Sequence, residues 1–202
     1  MKRKKILELD FYKEYVSNYF SVFTEEKLDE IYKIQKKIEE IIDNKKFIFV
    51  CGNGGSASIA NHFLCDFNKG IKHTSLNKKL PKVLSLSSNV EIITALGNDN
   101  GYNKVFVDQL ENYSKPGDCL ITLSCSGNSK NIIEICKFAK KRNLFLISFS
   151  GFNNKGIIKK LSNIHFNVGI KNYGICEDVF QSIMHIMSQS IRKKFLKQKI
   201  IL

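Results

Sequence analysis

The sequence predicts an α/β protein: a five-stranded parallel sheet with helices on both faces, an N-terminal helical hairpin and a long C-terminal helix. Three observations predict it. Five short runs are apolar almost throughout, as strands buried on both faces must be. Stretches of helical periodicity separate these runs and supply the crossovers that parallel neighbours need. Two helical stretches precede the first run, and one long stretch follows the last.

Residues 6–43 read as two helices, with Ile31, Ile34, Ile38, Ile41 and Ile42 at helical spacing and Thr24 placed to cap the second. The strands read as Phe47–Cys51, Val83–Leu86, Cys119–Leu123, Leu144–Ser148 and Ile164–Val168. Helical patterns lie near 57–69, 90–97, 129–142 and 154–161, and the final helix runs from about 175 to 197. With no internal repeat, no low-complexity linker and two prolines, the chain reads as a single domain over 1–202: helices to 45, an α/β core over 46–170 and a helix over 171–202.

Composition narrows the class. The 202 residues suit one domain with a sizeable core, and 43% hydrophobic with 25% charged residues is ordinary for a soluble protein. No apolar run is long enough for a transmembrane helix. The basic start, Met1 to Lys5, is followed by Glu8, Asp10, Lys13 and Glu14, which no signal peptide carries, so a cytoplasmic location is expected and no membrane partner. Cys51, Cys65, Cys119, Cys125, Cys136 and Cys176 lack metal-type spacing and read as core or loop residues, not as a disulfide framework. The net charge of +13 attracts phosphates, but the lysines are scattered and no nucleic-acid motif accompanies them. No nucleic-acid partner is expected.

Ligands on such sheets bind beyond the carboxyl ends of the strands. After the first strand comes Gly52-Asn53-Gly54-Gly55-Ser56-Ala57-Ser58, and after the third Ser124-Cys125-Ser126-Gly127-Asn128-Ser129, each opening a helix. Glycine admits close backbone approach, and hydroxyls with free N–H groups at a helix start hold phosphate. Serine and asparagine are also ordinary helix caps; two such loops at equivalent strand ends favour phosphate. Neither is a P-loop or a dinucleotide fingerprint.

His62 and Asp66 are four apart on one helix and face the same way, so they are able to share a metal ion. Glu177 and His185 are eight apart on the last helix, roughly on one side but about 12 Å along its axis. Spacing alone leaves both readings open: packed histidines, a surface carboxylate and a first-turn acid, or ligands.

Cys51–Ser58 with Asn61-His62-Phe63, then Leu96-Gly97-Asn98-Asp99-Asn100-Gly101-Tyr102-Asn103, then Ser124–Ser129, resemble in order three signatures of the phosphoheptose isomerases of the sugar isomerase (SIS) domain family. The resemblance covers nearly the whole chain. It implies a flavodoxin-like three-layer sandwich and a homotetramer with sites between subunits. It also implies one zinc ion held by His, Glu, Gln and His, which fall here on His62, Asp66, Glu177 and His185. Asp66 and Glu177 depart from that pattern, one by a shorter side chain and the other by an added charge.

The implied activity converts sedoheptulose 7-phosphate into a manno-heptose 7-phosphate for lipopolysaccharide or capsule. The proton moves through an enediol, with Asp66 as base, His185 as acid and zinc polarising the carbonyl. Ser124, Cys125, Ser126 and Ser129 would bind the phosphate; Asn53, Gly54, Gly55, Ser56, Asn98, Asp99, Asp66 and Glu177 would line the sugar path. The rivals are a non-catalytic sugar-phosphate-binding SIS protein and an isomerase of another sugar phosphate, which Asp66 and Glu177 would favour.

Overall fold

The computed structural model describes residues 2–152 and 156–196. Two helices open the chain, α1 (Lys2–Ser21) and α2 (Glu25–Asp43). Thr24 caps α2 by accepting from the Lys27 amide at 3.3 Å. The sheet follows: β1 (Phe47–Gly52), β2 (Lys82–Ser85), β3 (Cys119–Ser124), β4 (Phe145–Ser150) and β5 (Ile164–Asn167). Its order is β2-β1-β3-β4-β5, and every pair is parallel. The strands lie within two residues of their expected bounds at each end.

The order fixes where a ligand can bind. From β1 the chain moves outward to β2, then returns across β1 to place β3 on its other side. The connections after β1 and β3 therefore leave in opposite directions and open a crevice at the carboxyl ends of these two strands. The two glycine- and serine-rich loops flank that crevice.

Both faces of the sheet are covered. On one, α2 buries Ile31, Ile34, Ile38, Ile41 and Ile42. The same cluster takes Ile59, Ala60 and Phe63 of α3 (Gly55–Cys65) and Val179, Phe180, Ile183, Met184 and Met187 of α9 (Tyr173–Lys193). On the other, Ile132, Ile135, Cys136 and Ala139 of α7 (Lys130–Lys141) pack with Leu86, Val105 and Leu110. At the amino end of the sheet the buried Asp118 carboxylate accepts from the Phe47 and Lys115 amides at 3.0 and 2.7 Å, fixing β1 against β3.

The remaining elements depart from expectation in instructive ways. The stretch near 57–69 is not one α-helix: α3 passes at Asp66 into a π-helix, Asp66–Ile71, and then α4 (Lys72–Thr74). The wider turn brings Asn68 to the outer edge of β2, where its amide donates to the Val83 carbonyl (2.8 Å) and accepts from the Val83 amide (3.0 Å). His73 stands in α4. Next come α5 (Val90–Asp99), capped by Asn89, and α6 (Val107–Tyr113), which the sequence pattern did not reveal. The helix expected near 154–161 is α8 (Ile157–Leu161); positions 154 and 155 lie outside the described residues, as does the expected end of the last helix at 197.

α1 is joined to α9 by two tyrosines. Tyr15 Oη donates to Asp178 (2.6 Å), and Tyr19 Oη lies 2.7 Å from Ser182 Oγ. The Asp178 bond pushes the Tyr15 hydroxyl up to about 12. Phe11, Tyr12, Val16 and Phe20 of the same helix are exposed. All six cysteines are free thiols, and among the described residues no helix is long and apolar enough to cross a membrane.

His165 on β5 is half-buried between Ser148 and Ser150, at 2.7 and 3.0 Å. Burial first, then Lys159 and Lys27, pull its imidazole down to about 4 from 6.5. Between those two values the unfolded chain binds the extra proton and the folded chain does not, so stability falls as pH drops through that window and levels off below it. Thermal melts from pH 7 to pH 4 should show a steeper loss of Tm for the wild type than for His165→Gln. Parallel curves would remove His165 as the cause.

Candidate active site

At the crevice, β1 ends at Gly52 and the chain turns into α3 through Asn53 and Gly54. Gly54 has φ +54°, a conformation that L side chains rarely adopt, and no atom lies within 4 Å of where its Cβ would stand. At Gly55 a Cβ would collide with the Glu177 carboxylate, the end of a flexible side chain, which would have to move aside. Ser56 Oγ donates to Glu177 Oε1 at 3.4 Å. After β3, Gly127 (φ +65°) reverses the serine loop, its amide bonded to the Ser124 carbonyl at 2.9 Å. Ser124 and Ser129 hydroxyls stand 3.5 Å apart, and Ser126 Oγ accepts from the Asn128 amide at 3.2 Å.

These two loops enclose a cavity of about 400 Å³ that Asn53, Gly54, Gly55, Ser56, Ser124, Cys125, Ser126, Ser129 and Glu177 line together with Leu123 and Tyr173. Contact with the Cys176 thiol holds Cys125 below the usual thiol range, against the burial that pushes it up. Hydroxyls, glycine backbone and the start of α7 make this an anion-accepting cleft.

Asn53 is held from the far side. Its amide exchanges hydrogen bonds with the buried Asn131 (3.0 and 2.8 Å), and Tyr102 Oη donates to Asn53 Oδ1 at 3.0 Å. Tyr102, Asn103, Ser129 and Lys130 border an adjoining cavity beside this group. Asn131 was not anticipated; its signal was a polar residue within the first turn of a helix whose neighbours Ile132 and Ile135 face the core. Asn98 and Asp99, expected along the sugar path, bond to each other at the exposed end of α5 (2.8 Å) and line neither cavity.

A second group forms where α3 meets α9. His62, Asp66 and His185 each offer a ligand atom, and those atoms all lie within 4.8 Å of one another. His62 Nε2 is 3.1 Å from His185 Nε2 and 3.5 Å from Asp66 Oδ1, while His185 Nε2 is 3.8 Å from Asp66 Oδ2. Ser188 Oγ donates to Asp66 Oδ2 at 3.1 Å, and Gln181 Nε2 stands 2.9 Å from His185 Nε2. Asp66 begins the π-helix, a distortion frequent at functional sites. Glu177 is not a member of this group; it stands two turns up α9, at the cleft. The structure thus unites three of the four expected metal ligands and gives the fourth to the loops.

Comparison with known proteins agrees with this geometry. The sequence profile of the SIS domain family matches residues 11–151. A probable phosphoheptose isomerase of Thermoplasma acidophilum is 34% identical over 83% of this chain and 90% of its own length. A phosphoheptose isomerase of Helicobacter pylori is 35% identical over 77% of this chain and 79% of its own. In structure, the phosphoheptose isomerases of Neisseria gonorrhoeae (TM-score 0.81, 24% identical, 95% of this chain and 98% of that one) and Francisella tularensis (TM-score 0.81, 23% identical, 96% and 99%) share the fold. By sequence match and by architecture, this chain belongs to the SIS domain family, among the phosphoheptose isomerases.

Proposed function

We propose that this protein isomerises a phosphorylated sugar between ketose and aldose, with sedoheptulose 7-phosphate and D-glycero-D-manno-heptose 7-phosphate as the pair. One observation carries this reading: an anion cleft and a His–Asp–His group are built on the same two helices, about two turns apart. Gly55 and Ser56 of α3 and Glu177 of α9 border the cleft; His62 and Asp66 at the end of α3 and His185 of α9 form the group. Two turns are about 11 Å. An open-chain seven-carbon sugar phosphate likewise carries its phosphate and its reacting carbonyl at opposite ends. The named relatives support the same substrate class.

The donor set suits a zinc ion: two imidazole nitrogens and a carboxylate oxygen, all within 4.8 Å of one another. When bound, the ion would polarise the substrate carbonyl. The rest is done by side chains. Ser124, Ser126, Ser129 and the loop amides hold the phosphate, and Asn53, fixed by Asn131 and Tyr102, orients the chain of hydroxyls. Asp66, held by Ser188, takes a proton from one carbon, exchanges it with solvent and delivers one to the next. His185 gives and takes the proton on the adjacent oxygen. The chain acts as one domain in the cytoplasm, and its product would enter lipopolysaccharide or capsule heptose.

The exposed Phe11, Tyr12, Val16 and Phe20 on α1 supply an apolar face for assembly with further copies, in a homotetramer. Light scattering on the pure protein should give four times the chain mass; a monomer would remove the assembly from the proposal. Asp66→Asn and His185→Ala should each lower turnover by about 100-fold or more with the fold intact by circular dichroism. Near-normal turnover in either would displace that residue from its role. Proton NMR of sedoheptulose 7-phosphate with the zinc-loaded protein in D2O should show an aldose heptose phosphate carrying deuterium at C2. An unchanged substrate spectrum would overturn the heptose reading.

A further inference from the structure

Cys125 and Cys176 form a thiol pair that the isomerase chemistry does not use. Cys125 stands in the serine loop after β3, between Ser124 and Ser126, and lines the anion cleft. Cys176 lies in the first turn of α9. The two thiols are hydrogen-bonded to each other. Cys125 keeps 4% exposure, on the cleft side, and Cys176 has none.

Backbone bonds hold both residues in place. The Cys125 carbonyl accepts from the Gly151 and Phe152 amides, each at 2.9 Å, and the Cys176 amide donates to the Asn172 carbonyl at 3.1 Å. Cys125 Sγ lies 4.0 Å from both the Tyr173 carbonyl and Ser56 Oγ, while Cys176 Sγ donates to the Ile170 carbonyl at 3.2 Å. Gly151 leaves the room for this: a Cβ there would meet both the Cys176 sulfur and the Cys125 carbonyl. The other thiols lack the combination. Cys51, Cys119 and Cys136 are sealed in the core, and Cys65 is exposed but lines no part of the cleft.

We propose that Cys125 and Cys176 are an oxidation site, which hydrogen peroxide entering by the anion cleft converts into a disulfide. The Cys125 thiolate attacks one peroxide oxygen; the O–O bond breaks, hydroxide leaves and takes up a proton, and Cys125 becomes a sulfenic acid. The Cys176 sulfur, already in contact, attacks the Cys125 sulfur, gives up its proton and expels the OH as water. The two sulfurs thus supply the two electrons that reduce the peroxide to two waters. Cys125 reacts first because it alone opens to the cleft, and Cys176 resolves it. Disulfide sulfurs are about 2.05 Å apart, well inside hydrogen-bond contact, so closure draws the serine loop onto α9. The effect on function rests on the phosphate reading of that loop: oxidation shifts Ser124 and Ser126 and weakens their hold on the ligand. In a reducing compartment the pair rests as thiols and the disulfide is transient.

Peptide mapping tests the site without turnover. The full-length protein is reduced, exposed to hydrogen peroxide, alkylated, digested without reductant and analysed by mass spectrometry. The peptides carrying Cys125 and Cys176 should appear joined, lighter by the thiol hydrogens, and should separate with dithiothreitol. In Cys176→Ala the joined peptide should be absent and dimedone should capture a sulfenic acid at Cys125; in Cys125→Ser, Cys176 should stay reduced. Inorganic phosphate at about ten times its Kd leaves about one cleft in eleven empty and should slow the joining about tenfold. Oxidation confined to Cys65, or Cys125 and Cys176 both recovered as alkylated thiols, would overturn the site. Joining at an unchanged rate with phosphate present would leave the site standing and overturn the phosphate reading of the cleft.

Discussion

The parallel pairing of β1 with β3 is the constraint on which the rest depends. Five hydrogen-bonded partners in register, Ile48 with Cys119 through Gly52 with Leu123, bring the ends of two strands 71 residues apart in sequence to one level. Because the chain leaves β1 in one direction and β3 in the other, no helix crosses over the gap between them. The crevice follows from topology, before any side chain in it is specified. Asp118 secures the opposite end of the same pair by fixing the Phe47 amide, so both ends of the β1–β3 pairing are defined.

From that pairing the second site follows through packing. α3 starts at the crevice and lies on the sheet face that α9 also covers, with Ile59, Ala60 and Phe63 meeting Val179, Phe180 and Ile183 in one buried cluster. Burial of this many side chains, each contributing on the order of 1.5–3 kcal/mol, locks the two helices in rotation and in register. His62 and His185 are 123 residues apart, yet their rings sit at a centroid distance of 4.9 Å because the apolar faces beneath them leave no other alignment. A polar cluster at an exposed helix seam is thus placed by the apolar residues under it.

What the sequence disclosed and what it withheld divide along a physical line. The strands were legible because an apolar run buried on both faces leaves a continuous trace, and the two loops because the same glycine- and serine-rich pattern recurs at the ends of two strands. The His62–Asp66 pair was legible because helical spacing is local. α6 was not: seven residues with Gln109 buried inside carry no clear period. The π-helix after Asp66 was not, since Asn68 adopts it by bonding β2, a contact that exists only in three dimensions. The position of Glu177 was legible only in part: eight residues of α-helix set it two turns from His185, and what it meets there is a property of the loop after β1.

Glu177 also sets the polarity of the cleft. Among the described residues no lysine or arginine lines the cavity between the two loops, so an anion there depends on hydroxyls, loop amides and the start of α7. A carboxylate at Gly55 and Ser56 repels a phosphate dianion placed beside it, whereas Ser124, Ser126 and Ser129 on the opposite wall offer donors without competing charge. On the isomerase reading, the phosphate is therefore driven to the β3 side and the Glu177 carboxylate is left to accept from sugar hydroxyls midway to the His–Asp–His group. Gly55 favours this arrangement, because a Cβ there would displace the Glu177 carboxylate from its place beside Ser56. On the same reading the glycine after β1 serves two ends at once: it opens the backbone to the ligand, and it admits from α9 a negative charge that would set which way round the ligand lies.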